Sequence, residues 1–268
     1  MTPALVDRVM QRLDVGDVRA DHAGLARLYA AWCAHVPFDN VQKLVHLNEA
    51  RPGPLPGSTA DAFFTDWLAT AAGGTCWSGN NALFSLCEAL GFRADRVAAT
   101  MMPRPDAVPS NHGSVVVHLD DERWVVDASI LSVVPLRLAH DASDRLPRIE
   151  RRADSYVIVW RSPRAPHGFD CRIDRIGIGA DEWDAFHQRT AAWGPFNYAV
   201  SARSVREERA IGYVGGQRFS LGDDGSLATE PRDRAGRDRL LVDELGIAAE
   251  LVARLPEDRE MPPEPPRP

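Results

Sequence analysis

The sequence predicts an α+β fold in which helices come first and antiparallel strands follow. Three observations carry this expectation. The first 90 residues repeat apolar side chains at helical spacing. Residues from about 93 to 220 alternate or run apolar in short lengths. A mixed segment then closes the chain. Strands grouped after helices, rather than alternating with them, favour antiparallel pairing over a parallel α/β sheet.

Taken in order, residues 4–14 set Leu5, Val9, Met10 and Leu13 on one face. Residues 22–35 repeat the period with Leu25, Leu28, Trp32 and Cys33. Pro37 disfavours helix at the residue before it, so the run VPFDN at 36–40 ends the second helix. Residues 47–57 are rich in proline and glycine and read as loop. Ser58 is expected to cap the next helix, with Asp61 as an acidic variant of the capping box. That helix is expected to end near Gly73–Gly74. A further helix begins at or just after Cys76, buries Leu83, Phe84, Leu86, Cys87 and Leu90, and stops at Gly91.

GSVVVHLDDERWVVD reads as a β-hairpin turning at Asp120–Asp121, and SYVIVWR and FNYAVSA read as further strands. A helix near 181–190 interrupts them. Residues 238–254 are helical in two pieces around Gly246. The charged, proline-rich run 256–268 is expected to be a disordered tail.

The chain has 268 residues, enough for one large domain or two to three subdomains. Its net charge of -7 argues against a broad nucleic-acid-binding surface. No run of about 18 apolar residues is present, which argues against a membrane span. The start lacks the basic and apolar regions of a secretory signal. The four cysteines, Cys33, Cys76, Cys87 and Cys171, form no CxxC pair, so no zinc site is expected. Reduced thiols in a cytoplasmic protein are the simplest reading.

Cys76 follows two glycines and opens a helix. A helix N-terminus stabilises a thiolate, and its backbone N–H groups can serve an oxyanion. Cys76 is therefore a candidate nucleophile; the alternative is a small buried residue under a turn. Among the eight histidines, His140, His167 and His187 sit in polar surroundings and read as surface residues. The hairpin tests His112 and His118. With Asp120 and Asp121 at the turn, Leu119 faces Glu122 and Asp127 faces Ser114, so His112 is the diagonal neighbour of Asp127 on the same face. His118 faces Arg123, too far along the ladder. An aspartate at that place orients the imidazole and stabilises its protonated form. A cross-strand polar pair with no partner thiol is the alternative.

Two segments resemble the arylamine N-acetyltransferase family. GGTCWSGNNALFSLCEALGF (73–92) is similar to its nucleophile segment, with Asn80 four residues after Cys76 and Gly91–Phe92 closing the helix. HGSVVVHLDDERWVVD (112–127) resembles its second motif, with the aspartate fifteen residues after the histidine. PFDNV at 37–41 and GPFNYAVSAR at 194–203 resemble flanking motifs. The resemblance implies an N-terminal helical bundle over 1–92 carrying the cysteine. It further implies a central antiparallel β-barrel over 93–203 carrying the histidine and aspartate, and an α/β lid over 204–255, around a core like that of cysteine proteases. It implies Cys76 as acyl carrier, His112 as base and Asp127 as its orienter. Phe38, Thr75, Trp77, Asn80 and Phe196 are the substrate-binding residues it suggests. The implied reaction is ping-pong transfer of an acetyl group from acetyl-CoA, or another acyl group from its CoA thioester, to a small-molecule amine such as an arylamine or hydrazine, with no bound cofactor.

The chain departs from the family pattern at Ala72 (arginine), Thr75 (aromatic), Ser78 (glutamate) and the run Ala128–Leu131 (Gly-Phe-Gly). These changes admit a larger acyl group or one delivered on an acyl carrier protein, as in amide synthases that release polyketide chains. A cysteine-dependent hydrolase and a non-catalytic binding module are the other readings. The intact set of three residues disfavours the last.

Overall fold

A computed structural model describes residues 1–101, 110–207 and 209–264. Five helices dominate the first third: α1 (Pro3–Arg12), α2 (His22–His35), α3 (Val41–Asn48), α4 (Ala60–Thr70) and α5 (Cys76–Ala89), with the two-residue strand β1 (Phe38–Asp39) between α2 and α3. Strands β2 (Arg93–Met101), β3 (His112–Leu119), β4 (Glu122–Val126), β5 (Leu136–Arg137), β6 (Arg148–Arg152), β7 (Ser155–Ser162) and β8 (Ala165–Ile176) follow. Helix α6 (Ala180–Arg189) leads to β9 (Ser201–Arg206), β10 (Arg209–Val214), β11 (Gln217–Leu221) and β12 (Leu227–Pro231). The last elements are α7 (Arg234–Arg239), a π-helical turn over Leu240–Glu244 and α8 (Ala249–Val252).

The α+β class is as the sequence predicts. Seven strands form an antiparallel sheet in the order β5-β4-β3-β2-β8-β7-β6. Its two edges approach each other, and Asp141 N–H donates to the carbonyl of Ile149, so the sheet curls into a nearly closed barrel. Closure leaves little edge for pairing with other chains. The second sheet, β1-β9-β10-β11-β12, takes one strand from the helical third and the rest from the C-terminal third. It thus ties the two ends of the chain together, and β9 spans residues 201–206.

The helical core explains the placement of α5. Leu25, Leu28, Tyr29 and Trp32 of α2 meet Phe63, Phe64 and Trp67 of α4 and Leu83, Leu86 and Cys87 of α5 in one cluster. Fully burying each large apolar side chain of this kind contributes roughly 1.5–3 kcal/mol. Helix α5 is buried along nearly its whole length because α4 covers one side and β2 and β3 the other. Gly91, at φ +86°, ends it in the left-handed conformation that favours glycine.

Five local expectations change. The cap of α4 is Thr59, whose hydroxyl accepts from Ala62 N–H, because Ser58 donates its own hydroxyl to Leu55 O. Helix α4 stops at Thr70, and Ala71 takes a left-handed cap three residues short of the glycine pair's end. Residues 196–199 are turn rather than strand. The Asn40 side chain satisfies the Phe196 and Ala199 carbonyls, so no ladder partner is needed there. His187 is buried, not on the surface. The segment expected as a disordered tail is tied down as far as it is described. Asp258 accepts from Val200 N–H, Arg237 and Tyr213, and Pro262 O accepts from Trp193. Residues 265–268 of that expectation lie outside the described residues.

Candidate active site

The hairpin has the register read from sequence. Leu119 pairs with Glu122, His118 with Arg123, and Val115 with Val126. His112 opens β3 and Asp127 follows β4, so the two meet at the open end of the hairpin. His112 Nε2 lies 2.7 Å from Asp127 Oδ2, and both side chains are buried. Cys76, the first residue of α5, lies close enough to the imidazole to help hold its proton. The three side chains thus converge where the helical third meets the barrel. His118 instead pairs with Asp95, at 2.7 Å, near the turn.

Burial opposes a charge on His112, but the Asp127 charge and hydrogen bond, with smaller help from Cys76, outweigh it. They raise the imidazole from its ordinary range to about 10. Burial likewise pushes Asp127 up, and the His112 charge and hydrogen bond reverse this and hold its carboxyl below the usual range. Asp127 Oδ1 also accepts from the backbone N–H groups of Ser129 and Ile130, at 2.8 and 3.0 Å. A carboxylate with this many donors is rigid and stays ionised.

Sequence reasoning missed the group that fixes the Asp127 backbone. The Tyr29 hydroxyl, on α2, donates to Asp127 O and accepts from the N–H groups of Asp127 and Ser132. A helical tyrosine some hundred residues away carries no local signal of this. The motif PFDN was visible, but its work was not. Asp39 accepts from Gly73 N–H at 2.6 Å and from Val41 N–H at 3.0 Å, and Phe38 bridges to Gly74. Burial raises the Asp39 carboxyl to about 6, against the opposing pull of those two bonds. A Cβ at Gly73 would sit 1.9 Å from Pro37 O, so only glycine lets this segment lie against the run that leads into Cys76. Gly113, next to His112, is needed for a similar reason. Its missing Cβ leaves room for Trp183 and Trp77, which would lie 2.4 and 2.8 Å away.

The suggested substrate-binding residues divide. Asn80 is fully buried and fully used: it donates to Gly113 O and Asp127 Oδ1 and accepts from Ala128 N–H. Trp77 is buried edge-on to Trp183 and stacked on Phe186. Both therefore hold the scaffold. Thr75 lines a small cleft beside the nucleophile segment, shared with Asp39, Lys43, Gly73, Gly74, Ser78 and His187. Phe38 packs edge-on to the half-buried Phe196, at 5.2 Å between ring centroids. Lys43, the only lysine of the chain, donates to Thr190 O and Oγ1, and burial lowers its ammonium to about 8. Burial, followed by the Lys43 charge, lowers His187 to about 4.

Asn80→Ala is expected to test how much the scaffold depends on this amide. It leaves Ala128 N–H and Gly113 O buried without partners, at about 1–3 kcal/mol for each such group. The expected loss of stability is about 2–4 kcal/mol, or a drop in Tm of about 5–12 °C for a chain of this size. Thermal unfolding followed by circular dichroism measures it, and an unchanged Tm would contradict the assignment.

All four cysteines are free and buried. Among the described residues no group of three or more His, Cys, Asp or Glu side chains could hold a metal ion. No helix among them is long and apolar enough to cross a membrane.

The helical third and the nearly closed barrel are a fold shared with solved arylamine N-acetyltransferases. The chain superposes on the arylamine N-acetyltransferase of Mycobacterium tuberculosis with a TM-score of 0.78 at 19% identity, over 94% of this chain and 100% of that one. The enzyme of Salmonella typhimurium gives 0.78 at 15% identity, over 95% and 98%. That of Mycobacterium marinum, solved in complex with CoA, gives 0.78 at 18%, over 93% and 98%. Residues 21–150 match the model of the N-acetyltransferase family. No curated protein matches the chain in sequence.

Proposed function

We propose that this protein is a cysteine acyltransferase that carries an acyl group from a CoA thioester on Cys76 and passes it to an amine. The observation that supports this best is the convergence of Cys76, His112 and Asp127 within a fold shared with arylamine N-acetyltransferases. His112, held protonated by Asp127, keeps the neighbouring sulfur available as thiolate. The thiolate attacks the thioester carbonyl, the C–S bond to CoA breaks, and the departing sulfur takes the proton from His112. In the second half the amine nitrogen attacks the Cys76 thioester. Its proton passes to His112 as the Cys76 sulfur leaves, which restores the starting ion pair. The N–H groups at the start of α5 are the proposed donors to the charge that develops on the carbonyl oxygen.

Acetyl-CoA is the proposed donor and an arylamine or hydrazine the proposed acceptor, with Phe38, Thr75 and Phe196 as walls of the site. The chemistry needs no bound cofactor, no nucleic acid and no membrane, and a reducing cytoplasm suits its thiols. A second reading is favoured by one observation: Ala72, where the family has arginine, is buried in apolar contacts, and Asp39 keeps only backbone partners. With Ser78 also standing where the family has glutamate, the arginine–glutamate charge pair is absent, which suits an amide synthase that accepts a longer acyl chain from CoA or an acyl carrier protein.

Intact-mass spectrometry after mixing with acetyl-CoA is expected to show one acetyl adduct, mapped to Cys76 by peptide digestion. An adduct formed only with longer acyl thioesters would move the assignment to the amide-synthase reading. No adduct with any acyl thioester would remove the acyl-transfer reading altogether.

A further inference from the structure

Arg203 is a half-buried cation that the reaction above does not use. It lies in β9, directly opposite Phe38 of β1. Phe38 in turn bridges to Gly74, two residues before Cys76. Neighbouring strands lie about 4.8 Å apart, so this ladder puts Arg203 about two strand spacings from the nucleophile's own segment. The guanidinium carbon sits 4.9 Å from the centroid of the Phe38 ring and 4.7 Å from that of Trp160, so the cation is held between β1 and the barrel strand β7.

Its Nε is buried with no hydrogen-bond partner, and among the described residues no carboxylate pairs with it. Arg237, more deeply enclosed than Arg203 at 1% exposure, binds both Asp238 and Asp258. Two aromatic faces offset part of the cost of desolvating Arg203, and its buried, unpartnered Nε keeps part of that cost. Burial accordingly lowers the guanidinium to about 10. The groups of opposite sign that face it are Asp127, Tyr29 and Cys76. Asp127 is already neutralised by His112, and Tyr29 is a buried phenol committed to the Asp127 backbone. With Cys76 as thiolate the four charges balance; once an acyl group neutralises that sulfur, Arg203 is left without a counter-charge beside the place where the group is held.

We propose that Arg203 recognises a carboxylate on the substrate, its guanidinium forming the anion-binding wall of the site beside Cys76. This rests on the cysteine acyltransferase reading. A carboxylate fits better than a CoA phosphate, because the phosphates stand a whole pantetheine arm away from the thioester carbon. A planar guanidinium also takes a carboxylate through two parallel hydrogen bonds. The carboxylate belongs either to the acyl group, as in a dicarboxylic acyl thioester, or to the amine, as in an aminobenzoate.

Iodoacetate and iodoacetamide test the charge preference directly. Both alkylate the Cys76 thiolate by displacing iodide, and they differ only in the carboxylate. In Arg203→Gln the ratio of iodoacetate to iodoacetamide rates is expected to fall by about tenfold, the equivalent of about 1.4 kcal/mol. Arg203→Lys, which keeps the charge without the fork, is expected to fall between. An unchanged ratio overturns the proposal. So does an equal slowing by both reagents, which would make Arg203 a support for the thiolate instead. If neither reagent alkylates Cys76 selectively in the unaltered protein, the nucleophile reading itself fails, and that result is distinct from the other two. Two substrate pairs then name the source. Acyl-adduct formation is compared for succinyl-CoA and acetyl-CoA, and turnover for 4-aminobenzoate and 4-aminobenzamide. Arg203→Gln is expected to slow the charged member of one pair only, and no response in either pair overturns the proposal.

Discussion

Cys76→Ala is expected to lower acyl transfer by about 10⁴-fold or more and to abolish the intact-mass adduct, while the protein stays folded. The large effect follows from chemistry: without the sulfur no thioester forms, and no other thiol can take over. Burial pushes Cys33 and Cys87 up to about 12 and Cys171 well above its ordinary range, so at neutral pH none of them offers a thiolate. The small structural effect follows from position. Cys76 is only 6% exposed, yet removing one sulfur from a helix start flanked by Trp77, Ala98 and Trp183 leaves a cavity no larger than that atom. The expected cost is about 1 kcal/mol. Turnover, adduct formation and circular dichroism of the same preparation decide the matter. A folded Cys76→Ala variant that still transfers acyl groups would end the thioester mechanism.

Asp127→Asn is expected to reduce kcat/KM by about 10⁴-fold with little change in the fold, as when a base-orienting aspartate is amidated in a hydrolase triad. The oxygen of the new carboxamide can keep the acceptor position of Oδ1, which already receives the N–H groups of Ser129 and Ile130. Its NH₂ then occupies the place of Oδ2 and donates to His112 Nε2. The imidazole must carry its proton on Nδ1 and cannot accept one from the thiol. The charge that raised His112 against its burial is also gone, so the ring is neutral at pH 7.

The pH dependence of stability follows from the same pair. His112 is raised, so its contribution is complete below about 6.5 and is lost as the pH climbs toward about 10. Asp127 is lowered, so its contribution is complete above about 4 and is lost as the pH falls. The pair therefore contributes fully between about pH 4 and 6.5. In Asp127→Asn both limbs are expected to flatten when urea unfolding is followed across pH. Limbs as steep as in the unaltered protein would mean that other groups set them.

Much of the site is legible because its geometry is local. A hairpin with a two-residue turn has one register, and that register alone separates His112 from His118. The start of α5 at Cys76 and its end at Gly91 are also local, set by two glycines before and one after. Other features depend on distant partners. Ser58 and Thr59 are equally good caps by composition, and Gln188, from α6, decides between them by donating to the Ser58 hydroxyl. His187 reads as a surface residue in its own polar stretch, yet the cleft that buries it is walled by residues more than a hundred positions earlier. Asn80 and Trp77 sit in the nucleophile motif and read as substrate contacts, while the structure turns one to the hairpin backbone and the other into an aromatic cluster.

By itself the sequence determined the α+β class, the hairpin register, the helix start at Cys76 and the three residues proposed to carry the chemistry. Periodicity, turn residues and motif spacing act over a few residues, and they are written in adjacent letters. Only the tertiary structure decided that the thiol meets the imidazole, that Tyr29 and Asn80 fix the carboxylate's backbone, and that Arg203 stands unpaired beside Phe38. Those facts arise where separate segments desolvate one another. Whether a buried polar group finds a partner there depends on every element that packs against it.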